Sequence, residues 1–208
     1  MARNIGPNCR LCRRCGEKLM LKGDRCFTPK CAVERRPRPP GKSQGSRRRL
    51  SDRGTQLREK QKARYTYELM ERQFRRFFAI AEKRPGVTGD TLMVLLERRL
   101  DNVIYRLGFA DSRSQARQLV THGHIMLGKN VTNVPSAMVK KGDTIAWKPT
   151  SIKSEYYKLM LERIESKVMP GWLTLDKQTM VGQVISLPAP ADANAKFSGK
   201  AIVEYYSR

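Results

Sequence analysis

Five cysteines stand near the start of the chain: Cys9, Cys12, Cys15, Cys26 and Cys31. The first three form Cys-x2-Cys-x2-Cys and the last two Cys-x4-Cys. Thiolate pairs at such spacings can close a tetrahedron around a soft cation. Flanking arginines and lysines are expected to lower the thiol pKa values and favour thiolates. Zinc is the expected ion, and an iron–sulfur cluster on the same cysteines is the alternative. Spacing alone does not choose four ligands from five, because Cys12-Arg13-Arg14-Cys15-Gly16 resembles a zinc-knuckle turn as well as the Cys9/Cys12 pair does. A catalytic zinc would need an open coordination position and a general base. The chain's two histidines, His122 and His124, lie far from the cysteines in sequence.

The residues around the cysteines cannot position them unaided. Residues 1–41 lack apolar periodicity and end in Arg36-Pro37-Arg38-Pro39-Pro40-Gly41, a run that cannot be helical. A polar linker and the run Arg47-Arg48-Arg49 follow. So small a piece buries no core and is ordered by a metal or a partner.

The charge names the kind of partner. Against 42 Lys+Arg the chain has 19 Asp+Glu, a net charge of +23 in 208 residues. Half of that excess falls in the first fifty residues. Self-repulsion on this scale calls for a polyanion, with nucleic acid the first expectation and an anionic membrane surface the second. No apolar run is longer than Phe77 to Ala81, far short of the ~20 residues a membrane span needs. The early arginines exclude a secretory signal and the ending Tyr205-Tyr206-Ser207-Arg208 is not a prenylation box. An odd, clustered cysteine count reads poorly as a disulfide framework, so a reducing cytoplasmic setting is expected.

Beyond Ser51 the pattern turns helical. Leu57, Tyr65 and Leu69 mark a first helix and Phe74, Phe77 and Phe78 a second, broken by Pro85-Gly86. Thr88 to Arg99 predicts a third, with Leu92, Leu95, Leu96 and Leu100 as its stripe. Asn102 to Leu107 forms a fourth, stopped at Gly108. Ser112 and Gln115 are spaced as a capping box for a fifth, which Gly123 ends. Its Arg113 and Arg117 are placed opposite Ala116, Leu119 and Val120. A hairpin follows, Ile125-Met126-Leu127, a turn near Gly128-Lys129-Asn130, then Val131, with Thr144 to Trp147 as a further strand. Residues 152–166 return to helix, and Val184 to Leu187 and Ile202 to Tyr206 read as strands. Trp172 reads as a core anchor. A cationic helix face beside a polar hairpin suits the shallow groove and phosphates of RNA.

At this point the sequence resembles a known family. Arg99-Leu100-Asp101-Asn102-Val103-Ile104-Tyr105-Arg106-Leu107-Gly108-Phe109, with Ser112-Arg113-Ser114-Gln115-Ala116-Arg117 through Ile125, resembles the RNA-binding domain typified by ribosomal protein S4. Asn4-Ile5-Gly6-Pro7, Leu57 to Lys62, Glu71 to Arg75 and Glu204 to Arg208 extend the likeness to the bacterial-type small-subunit ribosomal family, end to end. The resemblance implies a primary binder of small-subunit, 16S-type ribosomal RNA that nucleates subunit assembly and contributes to translational accuracy. It also implies a place in the cytoplasmic ribosome beside neighbouring small-subunit proteins. Some members of the family repress their own operon by binding messenger RNA, so the resemblance adds messenger RNA as a candidate partner. Neither a membrane nor a second copy of the chain is expected as a partner. The family's metal ligands align with Cys9, Cys12, Cys26 and Cys31, and Cys15 is a departure. So are Leu127-Gly128, where the family often has Asn-Gly, and the stretches Gly41 to Arg49 and Pro188 to Ala193.

The expected fold is α+β: an N-terminal cysteine-rich, metal-stabilised loop segment (1–45), a helical domain (46–97) joined by part of the C-terminal tail, an inserted helix–helix–β-hairpin RNA-binding domain with antiparallel sheet (98–160), and a C-terminal helix end with strands (161–208). The candidate RNA-binding residues are Arg3, Arg10, Arg13, Arg14, Lys22, Arg35 and Arg36 in the first segment, and Arg47, Arg48, Arg49, Arg53, Arg58, Lys60, Lys62, Arg72, Arg75 and Arg76 in the second. Arg113, Arg117, His122, His124 and Lys129 complete the set in the third. No catalytic residue is expected. An RNA-modifying enzyme bearing the same domain would need a catalytic domain beside it, and no G-x-G-x-x-G opens a helix. A zinc-dependent DNA-binding regulator would need a recognition helix and a dimer interface, neither of which the pattern offers.

Overall fold

A computed structural model describes residues 4–41, 50–164, 167–193 and 196–207. Arg3, Arg47, Arg48 and Arg49 lie outside the described residues. The chain divides into two compact units, residues 1–93 with 194–208, and residues 94–193. The first two expected domains therefore fall into one unit, and residues 161–193 fall in with the RNA-binding module.

The first unit holds α1 (Asn8–Cys15), α2 (Ala32–Arg35), α3 (Asp52–Thr66), α4 (Glu71–Glu82), the first part of α5 (Thr88–Glu97) and, from the end of the chain, α9 (Gly199–Tyr206). Ser51 caps α3, its hydroxyl accepting from Gly54 N at 3.2 Å. The buried face of α3 is not the predicted Leu57 stripe. Leu57 is exposed, Leu69 lies past the helix end, and the buried positions are Gln56, Lys60, Lys62 and Ala63.

This polar face is satisfied by partners the periodicity could not show. The Gln56 amide donates to Glu204 of α9 at 2.9 Å, and Glu59 accepts from Ser198 N at 2.9 Å. Lys60 Nζ bonds Glu71 at 2.8 Å and sits 4.7 Å from the centre of the Tyr205 ring. The Tyr206 hydroxyl donates to the same Glu71 oxygen at 2.9 Å, and its ring lies 4.4 Å from that of Phe78.

Residues 202–206, predicted as a strand, are thus helical. Their β-branched and aromatic side chains mimic a strand pattern, but Ser198 caps the segment, accepting from Ala201 N at 3.3 Å, and Ile202 is the buried position. Propensity gives way to the tertiary partner. Gly89 and Gly199 let the backbones meet: a Cβ at Gly89 would lie 3.1 Å from the Gly199 carbonyl carbon.

In the second unit, the described strands form one antiparallel sheet ordered β2-β1-β3-β5-β4: β1 (Ile125–Leu127), β2 (Asn130–Val131), β3 (Thr144–Trp147), β4 (Leu173–Asp176) and β5 (Val181–Val184). Leu127 pairs with Asn130, so Gly128-Lys129 is a two-residue loop. Positive φ occurs at Gly128 (61°) and not at Lys129, the pattern of a type II′ turn, which needs no Asn. The predicted strand at 184–187 ends at Val184, and its partner Leu173–Asp176 was missed although Leu173 and Leu175 alternate with exposed neighbours.

Helices α6 (Leu100–Arg106), α7 (Arg113–Thr121) and α8 (Glu155–Ile164) belong to this unit. Its core gathers Val103, Ile104, Leu107, Phe109, Ala116, Val120, Ile125, Ile145, Met160 and Trp172. Gly182 gives β5 its close approach to α6, since a Cβ there would meet Leu107 Cδ1 at 2.6 Å. Ser112 caps α7, accepting from Gln115 N at 3.3 Å, while the Gln115 carbonyl accepts from Asp111 N at 3.0 Å rather than from Ser112 itself.

The start of α6 carries a buried ionic network. Arg99 is fully buried and forms a fork on Asp101, Nε to Oδ1 at 3.1 Å and Nη2 to Oδ2 at 2.8 Å. Arg117, 5% exposed, reaches Asp101 Oδ2 at 3.2 Å from α7. Glu97, also fully buried, accepts from the Asn102 amide at 2.8 Å and from Arg106 at 3.0 and 2.8 Å. Arg113 donates to Asn102 Oδ1 at 2.8 Å and lies 4.5 Å over the Tyr105 ring.

Two outcomes follow. Asp101→Asn leaves Arg99 and Arg117 buried without their counter-charge and should cost about 3–5 kcal/mol. The chain's two tryptophans, Trp147 and Trp172, both lie in this unit's core, so urea unfolding followed by tryptophan fluorescence reads it, and an unchanged midpoint would contradict the prediction. In the first unit, partial burial opposes the Glu71 charge, but Lys60, Tyr206 and Arg64 outweigh it and hold the carboxyl below its usual range. The stability this supplies is present above the unfolded carboxyl pKa and lost as pH falls through the lowered folded value. Acid unfolding followed by helical circular dichroism should therefore be less steep in Glu71→Gln than in the parent chain.

Candidate nucleic-acid interface

Within the first unit the cysteine segment packs against α3 through charge and a small apolar cluster. Gly16, at φ 75°, ends α1 and returns its N–H to Cys12 and Arg13 carbonyls. Cys9, Cys12, Cys26 and Cys31 line one small cavity with Lys18, Met20 and Lys22. Cys15 is not among its lining residues. It packs with Cys12, Leu19 and Leu21, against Tyr65 of α3.

All five thiols are free. Lys22 N donates to Cys26 Sγ at 3.4 Å. Among the described residues no group of three or more His, Cys, Asp or Glu is arranged to hold a metal ion. The expectation of thiolates favoured by nearby cations is corrected for two of the five. Burial raises the Cys12 thiol above its ordinary value, outweighing a bond from the Leu19 backbone, and neighbouring cysteines add to the rise. Burial pushes Cys15 up to about 11, against the opposing pull of Lys62 and Arg58.

The basic candidates divide by placement. Arg10, Arg14, Lys22, Arg35, Arg36, Arg53, Arg58, Arg72, Arg75, Arg76, His122 and Lys129 are exposed, and Arg13, Arg113 and His124 half-buried. Arg13 also donates to the Arg38 carbonyl at 2.9 Å, bracing the loop it belongs to.

Lys60, Lys62 and Arg117 are buried and ion-paired, which corrects the expectation that they present charge outward. Lys62 ties α3 to the cysteine segment, bonding Glu17 at 2.7 Å and Glu59 at 2.8 Å. Burial alone would lower its pKa, but the two carboxylates outweigh that and hold the ammonium above its ordinary value. Arg117 lies on the Ala116 and Val120 side of α7, not opposite it, because Asp101 of α6 draws it inward.

In the second unit α7, the short link that follows it and the turn of the β1–β2 hairpin carry the remaining candidates. His124 Nδ1 pairs with the Ser151 hydroxyl at 2.9 Å, and its ring stacks near His122 with centroids 6.1 Å apart. Exposed lysines the sequence reading passed over, Lys140, Lys141 and Lys153, add to the positive surface of this unit. Glu97, Asp101 and Asn102 were also passed over, and they are the groups that hold the arginines of α6 and α7. The signal was available: they are acidic or amide residues embedded in a run of arginines in an otherwise basic chain.

No helix among the described residues is long and apolar enough to cross a membrane. Residues 3–97 match the family model of the ribosomal protein S4/S9 N-terminal domain, and residues 98–145 match that of the S4 domain. Three similar proteins all carry the name small ribosomal subunit protein uS4. The one from Dehalococcoides mccartyi is 56% identical over 208 residues, 100% of both chains. Those from Pelotomaculum thermopropionicum and Caldicellulosiruptor bescii are 51% and 50% identical, again over 100% of both chains. With residues 3–145 matched by the two family models and its relatives aligned from end to end, the chain belongs to the uS4 family of small ribosomal subunit proteins.

Proposed function

We propose that the protein is a structural, non-enzymatic constituent of the small ribosomal subunit, working in the cytoplasm as a primary binder of small-subunit ribosomal RNA. The observation that carries this reading is how the charge is distributed between inside and outside. Glu97 and Asp101 are used up internally on Arg99, Arg106 and Arg117, and Glu71 and Glu17 on Lys60 and Lys62, while Arg53, Arg58, Arg72, Arg75, Arg76 and Lys129 stay exposed. Phosphate contacts from Arg53, Arg58, Arg72, Arg75, Arg76 and Lys129 would supply affinity by counterion release. Specificity would come from the shape of a folded RNA junction matched by helices already in place. Nucleation of subunit assembly, a contribution to translational accuracy, contact with neighbouring small-subunit proteins and binding of messenger RNA belong to the same reading.

The cysteine segment fits a structural metal by its donor set. Cys9, Cys12, Cys26 and Cys31 share one cavity, they are soft sulfur donors, and Cys15 lies outside that cavity. These four would hold zinc, and Cys15 would not take part. Bound there, the ion would cross-link the ends of the segment, order it and take the place of the ligand thiols' protons. An iron–sulfur cluster on the same four sulfurs is the competing assignment.

Two measurements test these readings. In a salt titration the chain should bind a small-subunit ribosomal RNA fragment at least about 10³-fold more tightly than a generic duplex near physiological salt. Equal affinity would remove the specific-assembly reading. Elemental analysis with an optical spectrum should find one zinc and no visible absorption, and Cys15→Ser should keep the metal whereas Cys26→Ser loses it. Loss of metal in Cys15→Ser would overturn the ligand set, and a visible charge-transfer band would replace zinc by the cluster.

A further inference from the structure

The first unit is discontinuous in sequence: residues 94–193 interrupt it and residues 194–208 return to it. Helix α3, at its centre, has no apolar stripe of its own. Of its buried positions only Ala63 is apolar, and Gln56, Lys60 and Lys62 are polar or charged. Such a face does not collapse onto a neighbouring helix by hydrophobic burial, and its polar groups cost free energy unless they are partnered.

Much of what completes that face comes from the returning segment. Glu204 accepts from the Gln56 amide, Ser198 N donates to Glu59, and Lys60 Nζ sits 4.7 and 5.6 Å from the centres of the Tyr205 and Tyr206 rings. The Tyr206 ring lies 4.4 Å from that of Phe78 and 6.5 Å from that of Phe74, Phe197 meets Tyr67 edge-on at 6.3 Å, and Ile202 is fully buried. A Cβ added at Gly199 would meet Met93 Cε of α5 at 3.0 Å. One segment therefore closes on α3, α4 and the first part of α5. The second unit closes with residues that precede it: its last strand ends at Val184, and Arg106 donates to the Asp192 and Ala193 carbonyls at 3.4 and 2.9 Å.

We propose that the first unit is the last part of this protein to fold, and that α9 is the piece that closes it, after the second unit has formed. Domains ordinarily fold in the order in which they are made, N-terminal first. Here the newest end of the growing chain is shielded by the exit tunnel until synthesis stops, so α3 and α4 emerge early and wait for α9 while the whole second unit is made. The hydrogen bonds that join them span 135 to 148 residues of sequence, and contacts at that separation form slowly. Arg72, Arg75 and Arg76 ride on α4, whose Glu71, Phe74 and Phe78 meet Tyr206, so an unfinished chain does not hold them in place. That consequence rests on the RNA-binding reading above. The order of closure does not.

The test arrests the full chain on the ribosome with Gly/Ser extensions of increasing length after Arg208 and follows resistance of each unit to brief trypsin digestion. The second unit should become resistant first. The first unit should follow only at extensions longer by the length of residues 194–208, when α9 has left the tunnel. In the released chain, Ile202→Asp should abolish resistance of the first unit and leave the second unit's tryptophan-monitored urea midpoint unchanged. A first unit already resistant at the extension that suffices for the second, or one that stays resistant in Ile202→Asp, overturns the proposal. A fall in the second unit's midpoint in that variant overturns it too, because the second unit would then depend on α9. Failure of the ribosomal RNA binding itself would remove the consequence for Arg72, Arg75 and Arg76 and leave the order of closure untouched.

Discussion

Two carboxylates, Glu97 and Asp101, are buried among arginines, and the second unit is arranged around them. A guanidinium cannot shed its charge, so Arg99, fully enclosed, needs a fixed anion beside it. Asp101 supplies it and at the same time takes Arg117 from the next helix. Glu97 does the same for Arg106, and Asn102 links the two anions' neighbourhoods through Glu97 on one side and Arg113 on the other. An apolar seam between α6 and α7 could slide by fractions of a turn. The Arg117–Asp101 and Arg113–Asn102 bonds, each directed at a fixed oxygen on α6, oppose that slide.

The first unit applies the same logic with lysine. Along α3 the buried side chains other than Ala63 are charged or polar, and their partners arrive from distant parts of the chain: Glu17 from the cysteine segment, Glu71 from α4, Glu204 and two tyrosines from α9. A chain with few aromatic residues and much positive charge thereby builds a core from neutralised pairs and leaves the surplus cations outward. The cysteine segment joins this unit by the Lys62–Glu17 pair and by a cluster of Leu19, Leu21 and Tyr65. Its four cavity-lining thiols and the separately packed Cys15 divide five identical residue types into two environments.

What was legible in the sequence depended on how local the signal was. Helices α4, α5 and α7 and the β1–β2 hairpin carry their own periodicity, caps and turn residues, and they could be read directly. The Ser112 cap is a bond between residues three apart, and it is present. The buried face of α3 could not be read, because Lys60 and Lys62 look like solvated charge until Glu71, Glu17 and Glu59 are in place. Arg117 was misplaced for the same reason: apolar periodicity says nothing about an arginine whose partner is one helix away. The strand expected at 202–206 failed because its partner is α3, which precedes it by more than 130 residues. On the candidate interface, the exposed arginines and the separation of Cys15 were accessible from composition and family resemblance. The juxtaposition of Gln118, His124 and Tyr156 around one groove was not, since its walls come from α7, the segment after it and α8.

The central claim is that the surplus charge is an interface for small-subunit ribosomal RNA held in advance by buried ion pairs. Sedimentation tests it most directly. Small subunits are isolated from cells carrying a tagged copy of the chain, washed in high salt and resedimented. The account predicts that the chain stays with the small subunits, because shape-matched contacts outlast the screening of simple charge attraction. Release of the chain into the supernatant at the salt that strips non-specific basic proteins would contradict it.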